Sequence, residues 1–218
     1  MNFEQARFNM VEQQLRPGKV LDPGVLEVLF VVKREEFVPP AHRRLAFADT
    51  QIPLGAEADA CMLAPTVEAH ALQAVAMKTH EKVLEVGTGS GYMAALLGVH
   101  ADQVWTIEID PQLAATAREN LRRAGVTNVT VEVGNGLAGL PAHAPYDVIM
   151  VSGAVAETPR ALLDQLKPGG RLFAIEGEAP AMEAALYTRV GNEFRRVAVF
   201  ETVVAPLREA EPAPAFVF

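Results

Sequence analysis

A short apolar run, Val83-Leu84-Glu85-Val86, leads without a spacer into Gly87-Thr88-Gly89-Ser90-Gly91, and Tyr92 to Val99 continue with helical spacing. A strand that turns straight into a helix through alternating glycines leaves few architectures open. Glycine tolerates backbone angles that a Cβ forbids and lets a backbone approach closely. The helix that follows presents its free N–H groups to the turn. Downstream the chain repeats this rhythm. Gln103 to Ile109 reads as a second strand. Asp110-Pro111 opens a helix with Leu113, Ala117, Leu121 and Ala124 on one stripe, and Gly125 closes it. Val129 to Val133 and Asp147 to Val151 read as the third and fourth strands. Pro159 to Leu166 reads as a helix, and Lys167-Pro168-Gly169-Gly170 turns the chain into a fifth strand, Arg171 to Ile175. The expected fold is therefore α/β, a mostly parallel twisted sheet with helices on both faces. Ala185 to Val190 and Glu193 to Val204 flank Gly191-Asn192, which predicts a C-terminal antiparallel hairpin.

The chain before this pattern is different. Phe3, Arg7, Met10, Val11 and Leu15 share one helical face, ended by Arg16-Pro17-Gly18. Asp22-Pro23 caps a second helix over Val25 to Val32. Glu35 to Pro65 is rich in Pro and Gly and shows little periodicity, and Thr66 to Met77 predicts a third helix with Val67, Ala71, Leu72 and Val75 inward. The expected organisation is an N-terminal helical and loop extension over 1–80, a ligand-binding α/β domain over 81–207 and a tail over 208–218.

Composition removes whole classes of function. The 218 residues are 50% hydrophobic and 21% charged, enough apolar surface for a full core. A formal net charge of −8 argues against a nucleic-acid binder, which needs a basic face. The single cysteine, Cys61, excludes an internal disulfide and a cysteine zinc cluster, and the scattered histidines give no metal-ligand spacing. No stretch reads as a targeting or membrane-spanning segment, so a cytoplasmic protein is expected, with no membrane partner and no metal.

Two nucleotide readings of the glycine loop compete. A dinucleotide site wants G-x-G-x-x-G. Here the pattern is G-x-G-x-G, with Glu85 two residues before the first glycine. This resembles the S-adenosylmethionine loop of Rossmann-like class I methyltransferases, whose ligand has no phosphate. In that resemblance Glu85 orients the loop and the amino-acid end of the ligand. Glu108, at the end of the second strand, accepts hydrogen bonds from the ribose hydroxyls. Asn135, in Gly134-Asn135-Gly136, offers a donor and an acceptor to adenine. The candidate cofactor-binding set is Glu85, Gly87, Thr88, Gly89, Ser90, Gly91, Glu108, Ile109, Asn135, Gly136 and Leu137.

Several stretches to about Leu207 resemble the protein-L-isoaspartate O-methyltransferase family. They are Met10-Val11-Glu12-Gln13-Gln14-Leu15, Arg34-Glu35-Glu36-Phe37-Val38-Pro39, Ala48-Asp49-Thr50-Gln51-Ile52-Pro53-Leu54-Gly55, the loop Val83 to Tyr92, and Pro206-Leu207. The resemblance implies methyl transfer from S-adenosylmethionine, leaving S-adenosylhomocysteine, to the carboxylate of isoaspartyl residues in damaged proteins or peptides. It breaks in the substrate loop. Where the family reads T-I-S-Q-P, this chain reads Cys61-Met62-Leu63-Ala64-Pro65, so Leu63 stands in the place of the Ser. No hydroxyl residue lies between Gly55 and Pro65, and Thr66 is the nearest substitute. Met62, Leu63, Pro65 and Thr66 are the candidate substrate-loop residues, and no catalytic side chain is identified. Three alternatives stay open: the same chemistry on another acceptor, a catalytically silent cofactor-binding module, and, ranked last, an NAD-dependent oxidoreductase. The last would need a glycine where Tyr92 stands.

Overall fold

The computed structural model describes residues 2–55 and 60–209. Helix α1 (Phe3–Met10) starts on Asn2, whose side chain accepts from the Gln5 N–H, and runs on into one wide π-turn over Val11–Leu15. Helix α2 (Pro23–Val31) has the expected Asp22 cap, its carboxylate accepting from the N–H groups of Gly24 and Val25. The Pro- and Gly-rich segment after it holds 3₁₀ turns at Arg34–Glu36 and Pro40–Leu45, then the two-residue strands β1 (Ile52–Pro53) and β2 (Cys61–Met62), paired antiparallel.

Helix α3 (Pro65–Val75) is shorter than the expected 66–77 because Ala76 turns left-handed at φ 47. Arg171 fixes that end, its guanidinium donating to the carbonyls of Val75 and Ala76 and to the Glu81 carboxylate. The alternating part follows as β3 (Lys82–Val86), α4 (Tyr92–Gly98), β4 (Gln103–Glu108), α5 (Pro111–Arg123), β5 (Val129–Val133), β6 (Tyr146–Val155), α6 (Arg160–Asp164), β7 (Leu166–Glu178), β8 (Ala181–Val190) and β9 (Glu193–Thr202).

Sequence patterning underestimates two of these elements and overestimates a third. Strands β6 and β7 run past the expected 147–151 and 171–175, and α6 is only a fragment of 159–166. Leu166 leaves the helix to pair with Tyr146, and the Gln165 amide closes it by donating to the carbonyls of Ala161 and Ala138. At its far end β7 is prolonged by antiparallel pairing with β8 out to Glu178 and Ala181. Apolar spacing does not encode that extra pairing.

The seven strands lie in the order β5-β4-β3-β6-β7-β8-β9. The first five are parallel, and β8 and β9 add antiparallel as the expected hairpin. The chain builds β3, β4 and β5 outward and then crosses back to place β6 against β3. That reversal opens a crevice at the carboxyl ends of β3 and β6, where α/β sheets bind ligands.

Strand alternation divides the core in two. Val83, Val104, Val148 and Met150 face a cluster containing Met10, Leu15, Leu29, Leu72 and Leu96 from α1, the π-turn, α2, α3 and α4. Leu84, Ile107, Ile149 and Val151 face the smaller cluster with Leu162 and Leu163 of α6. The tail from 210 onward, with Phe216-Val217-Phe218, lies outside the described residues.

Candidate active site

The carboxyl ends of β3, β4 and β6 carry Glu85, Thr106 and Ser152 on one face of the sheet. Glu85 and Thr106 are direct neighbours in the parallel register. The Thr106 hydroxyl donates to one Glu85 oxygen at 2.6 Å, and the Ser152 hydroxyl donates to the other at 2.8 Å. Thr106 has then used its single hydrogen, so the Thr88 hydroxyl donates to it across 2.6 Å. Glu85 is fully buried, and burial pushes its carboxyl up to about 8 against the pull of the two hydroxyls. The acid thus ties the glycine loop to β4 and β6 from underneath.

The loop itself is shaped by its glycines. Gly87, Gly89 and Gly91 all have positive φ, at 91, 52 and 85. A Cβ on Gly87 would stand 2.7 Å from Leu207, and one on Gly89 would stand 3.0 Å from Leu54. Gly91 does something else: it begins α4 and packs against Leu121 and Ala117 of α5, outside the cleft. Glu108 lies on the other side of the loop and is 6% exposed. Its two oxygens accept from the N–H groups of Gly89, at 2.8 Å, and Asp110, at 3.1 Å.

Around these groups lies an open cleft of about 710 Å³, solvent at its mouth included. Its walls contain Gly87, Gly89, Glu108, Ile109, Asn135, Gly136 and Leu137 of the predicted cofactor set. Glu85, Thr88 and Ser90 line a smaller recess beneath the loop, together with Met62 and Leu63. Asn135 is exposed; its Oδ1 accepts from the Leu137 N–H at 2.9 Å and its Nδ2 donates to Glu209 at 2.6 Å.

The substrate-loop expectation divides. Cys61 and Leu63 line the cleft, and Arg34 holds the Leu63 carbonyl at 2.7 Å. Pro65 and Thr66 form the first turn of α3 and are not among the cleft residues. The Thr66 hydroxyl is bonded to Asp49, which removes it as a substitute for the missing serine. Sequence reasoning missed Leu54, Ser152, Gly153 and Arg208, all of which line the cleft. Ser152 was the most accessible of these. It continues the period-two pattern of Val148 and Met150, one residue past the expected end of the strand.

The comparisons with known proteins cover nearly the whole chain. The family model described as Protein-L-isoaspartate(D-aspartate) O-methyltransferase (PCMT) matches residues 5–207. The chain belongs to this family. A relative from Syntrophobacter fumaroxidans, named protein-L-isoaspartate O-methyltransferase 1, is 40% identical over 186 residues, covering 85% of this chain and 86% of its own. Another from Gloeobacter violaceus, named protein-L-isoaspartate O-methyltransferase, is 37% identical and covers 93% of this chain and 98% of its own. Two solved structures share the fold of this family member. One, a protein-L-isoaspartate O-methyltransferase, superposes with a TM-score of 0.79 at 24% identity, over 94% of this chain and 65% of its own longer chain. The other, from Plasmodium falciparum and in complex with S-adenosyl-L-homocysteine, superposes with a TM-score of 0.80 at 18% identity, over 96% of this chain and 99% of its own.

The family model spans the first helices as well as the glycine loop. Among the described residues no helix is long and apolar enough to cross a membrane, and no group of three His, Cys, Asp or Glu residues is placed to hold a metal ion.

Proposed function

We propose that this chain is an S-adenosylmethionine-dependent O-methyltransferase acting on the carboxylate of L-isoaspartyl residues in proteins or peptides. One observation carries the reading: the cleft at the sheet's switch point has a glycine floor that a Cβ would fill, and the groups beside that floor are acids. Glu108 lines the cleft as its charged acid and Glu85 lies under it, kept neutral up to about pH 8 by burial, whereas the basic residue in its wall, Arg208, is paired with Asp110. Such a site is poorly matched to the pyrophosphate of a dinucleotide, which disfavours the oxidoreductase alternative. It suits a ligand that carries a ribose, an ammonium and a sulfonium.

In this reading Glu108 accepts from the ribose hydroxyls, since each carboxylate oxygen has a lone pair left beside its backbone donor. Ile109 and Leu137 provide apolar walls for the base, and Asn135, whose Oδ1 accepts from the Leu137 N–H and whose Nδ2 bonds Glu209, keeps one N–H to offer it. Glu85 sets the loop through Thr106, Thr88 and Ser152. When bound, S-adenosylmethionine supplies a methyl group made electrophilic by a positively charged sulfur. The acceptor is ionised at neutral pH, its reference pKa being about 4, so the chain needs no general base. What the protein contributes is alignment and exclusion of water, which Leu54, Leu63 and Leu207 provide as apolar walls.

A second acceptor class is favoured by one specific feature. Leu63, 6% exposed, occupies the family serine position, and Thr66 is spent on Asp49. Losing one hydrogen bond to an ionised acceptor costs about 1.5–3 kcal/mol, so roughly ten- to a hundred-fold weaker use of an isoaspartyl substrate is expected. The test is transfer of a labelled methyl group to an isoaspartyl peptide. A base-labile methyl ester is expected, with Leu63→Ser raising its rate about ten-fold or more. Retained S-adenosylhomocysteine binding with no ester would point to another acceptor. A silent module would show binding, no ester and no gain from Leu63→Ser.

A further inference from the structure

Between Val203 and Glu209 the chain crosses the cleft, and three consecutive residues reach the carboxyl ends of four of the five parallel strands. Leu207 covers the ends of β3 and β6, its Cδ2 standing 2.7 Å from where a Cβ on either Gly87 or Gly153 would be. Arg208 reaches the loop after β4 and donates to Asp110 Oδ2 at 3.1 Å. Glu209 reaches the loop after β5 and accepts from Asn135 Nδ2 at 2.6 Å.

The base of this segment is held by the backbone. The Leu207 N–H donates to the Ala154 carbonyl at 2.8 Å, and the Ala154 N–H donates to the Ala205 carbonyl at 3.0 Å. Gln51 brackets the same stretch, accepting from the Ala205 N–H at 2.9 Å and donating to the Val203 carbonyl at 3.2 Å. The tip is held differently, through the side-chain bonds of Arg208 and Glu209. The Arg208 and Asp110 side chains are 35% and 24% exposed, so this ion pair is a weak, salt-sensitive contact of the kind that opens and closes readily.

We propose that Leu207–Glu209 is a retaining strap over the cofactor cleft, latched by Arg208 on Asp110, which lifts to admit the ligand and shuts behind it. The inference rests on reading the cleft as the cofactor site. A latch of this kind slows passage in both directions, whereas a residue that merely touches the ligand slows departure alone.

Stopped-flow binding of S-adenosylhomocysteine to the full-length protein separates the two. Arg208→Ala is expected to raise both the association and the dissociation rate, each by up to about five-fold, the range of a partly exposed ion pair. Asp110→Asn is expected to do the same. Asn caps a helix as well as Asp does, so this change keeps the bonds to the N–H groups of Gln112 and Leu113 that start α5. Raising the salt concentration is expected to speed both rates in the wild type and to matter less in either variant. Unchanged rates in both variants would overturn the strap, as would a rise in dissociation with association unaltered. No ligand binding by the wild type would instead defeat the assignment of the cleft itself.

Discussion

Glu85 is an acid placed where water does not reach it, and its protonation is tied to folding. The unfolded chain ionises this carboxyl near 4.5, whereas the folded chain does so near 8. Between those values the folded protein holds the extra proton, so this group's contribution to stability falls as pH rises through the window. Glu85→Gln is therefore expected to flatten the fall in stability between pH 5 and pH 8, measured by urea unfolding at each pH. A slope identical to the wild type would show that Glu85 ionises normally in the fold. The placing of the acid, the glycines and Glu108 at the loop was legible in the sequence because a tight strand-to-helix turn requires glycine there and strand spacing puts the two acids beside it. Asn135 was legible as a site residue but not in its pairing with Glu209, which lies 74 positions away and is brought to it only by the return of the chain. Thr66 was misjudged for a similar reason: Asp49, which takes its hydroxyl, is distant in sequence and close in space.

Two buried ion pairs tie the N-terminal elements to one another. Arg7 of α1 pairs with Glu35, and Arg34 pairs with Glu68 of α3 while also holding the Leu63 carbonyl. Removing one member of such a pair leaves a charge without water or partner, which costs about 3–5 kcal/mol. Arg34→Ala is expected to lose about that much in denaturant unfolding and to loosen the 61–65 loop. The double change Arg34→Met with Glu68→Leu is expected to recover most of the stability but not the grip on Leu63. Equal stability of Arg34→Ala and the wild type would contradict the buried-pair assignment. Helices α1, α2 and α5 were legible from their apolar stripes and caps, since those signals are local. The true ends of α3 and α6, and the lengths of β6 and β7, were not. Their ends are set by Arg171, by Gln165 and by the added antiparallel strand β8, all of which are tertiary partners.

At the scale of the molecule, the first 80 residues do not form a separate unit beside the sheet. One apolar cluster runs from Met10 and Leu15 through Leu72 to Val83, Phe173 and Val204. A fragment of residues 81–207 would expose the face of the sheet that α1, α2 and α3 now cover. It is expected to lack a cooperative thermal transition, whereas the full chain is expected to melt in one step. A fragment that melts cooperatively would show that the α/β part folds alone. The same packing explains why the segments resembling the family lie so far from the glycine loop: they hold the wall of the cleft that carries Leu54, Cys61 and Leu63.

Titration calorimetry of S-adenosylhomocysteine into the full-length protein measures the cleft most directly. One site per chain is expected, weakened at least ten-fold by Glu108→Ala, because that change removes the acceptor of the Gly89 N–H and the proposed acceptor of the ribose. Absence of binding to the wild type, or equal binding by Glu108→Ala, would contradict it.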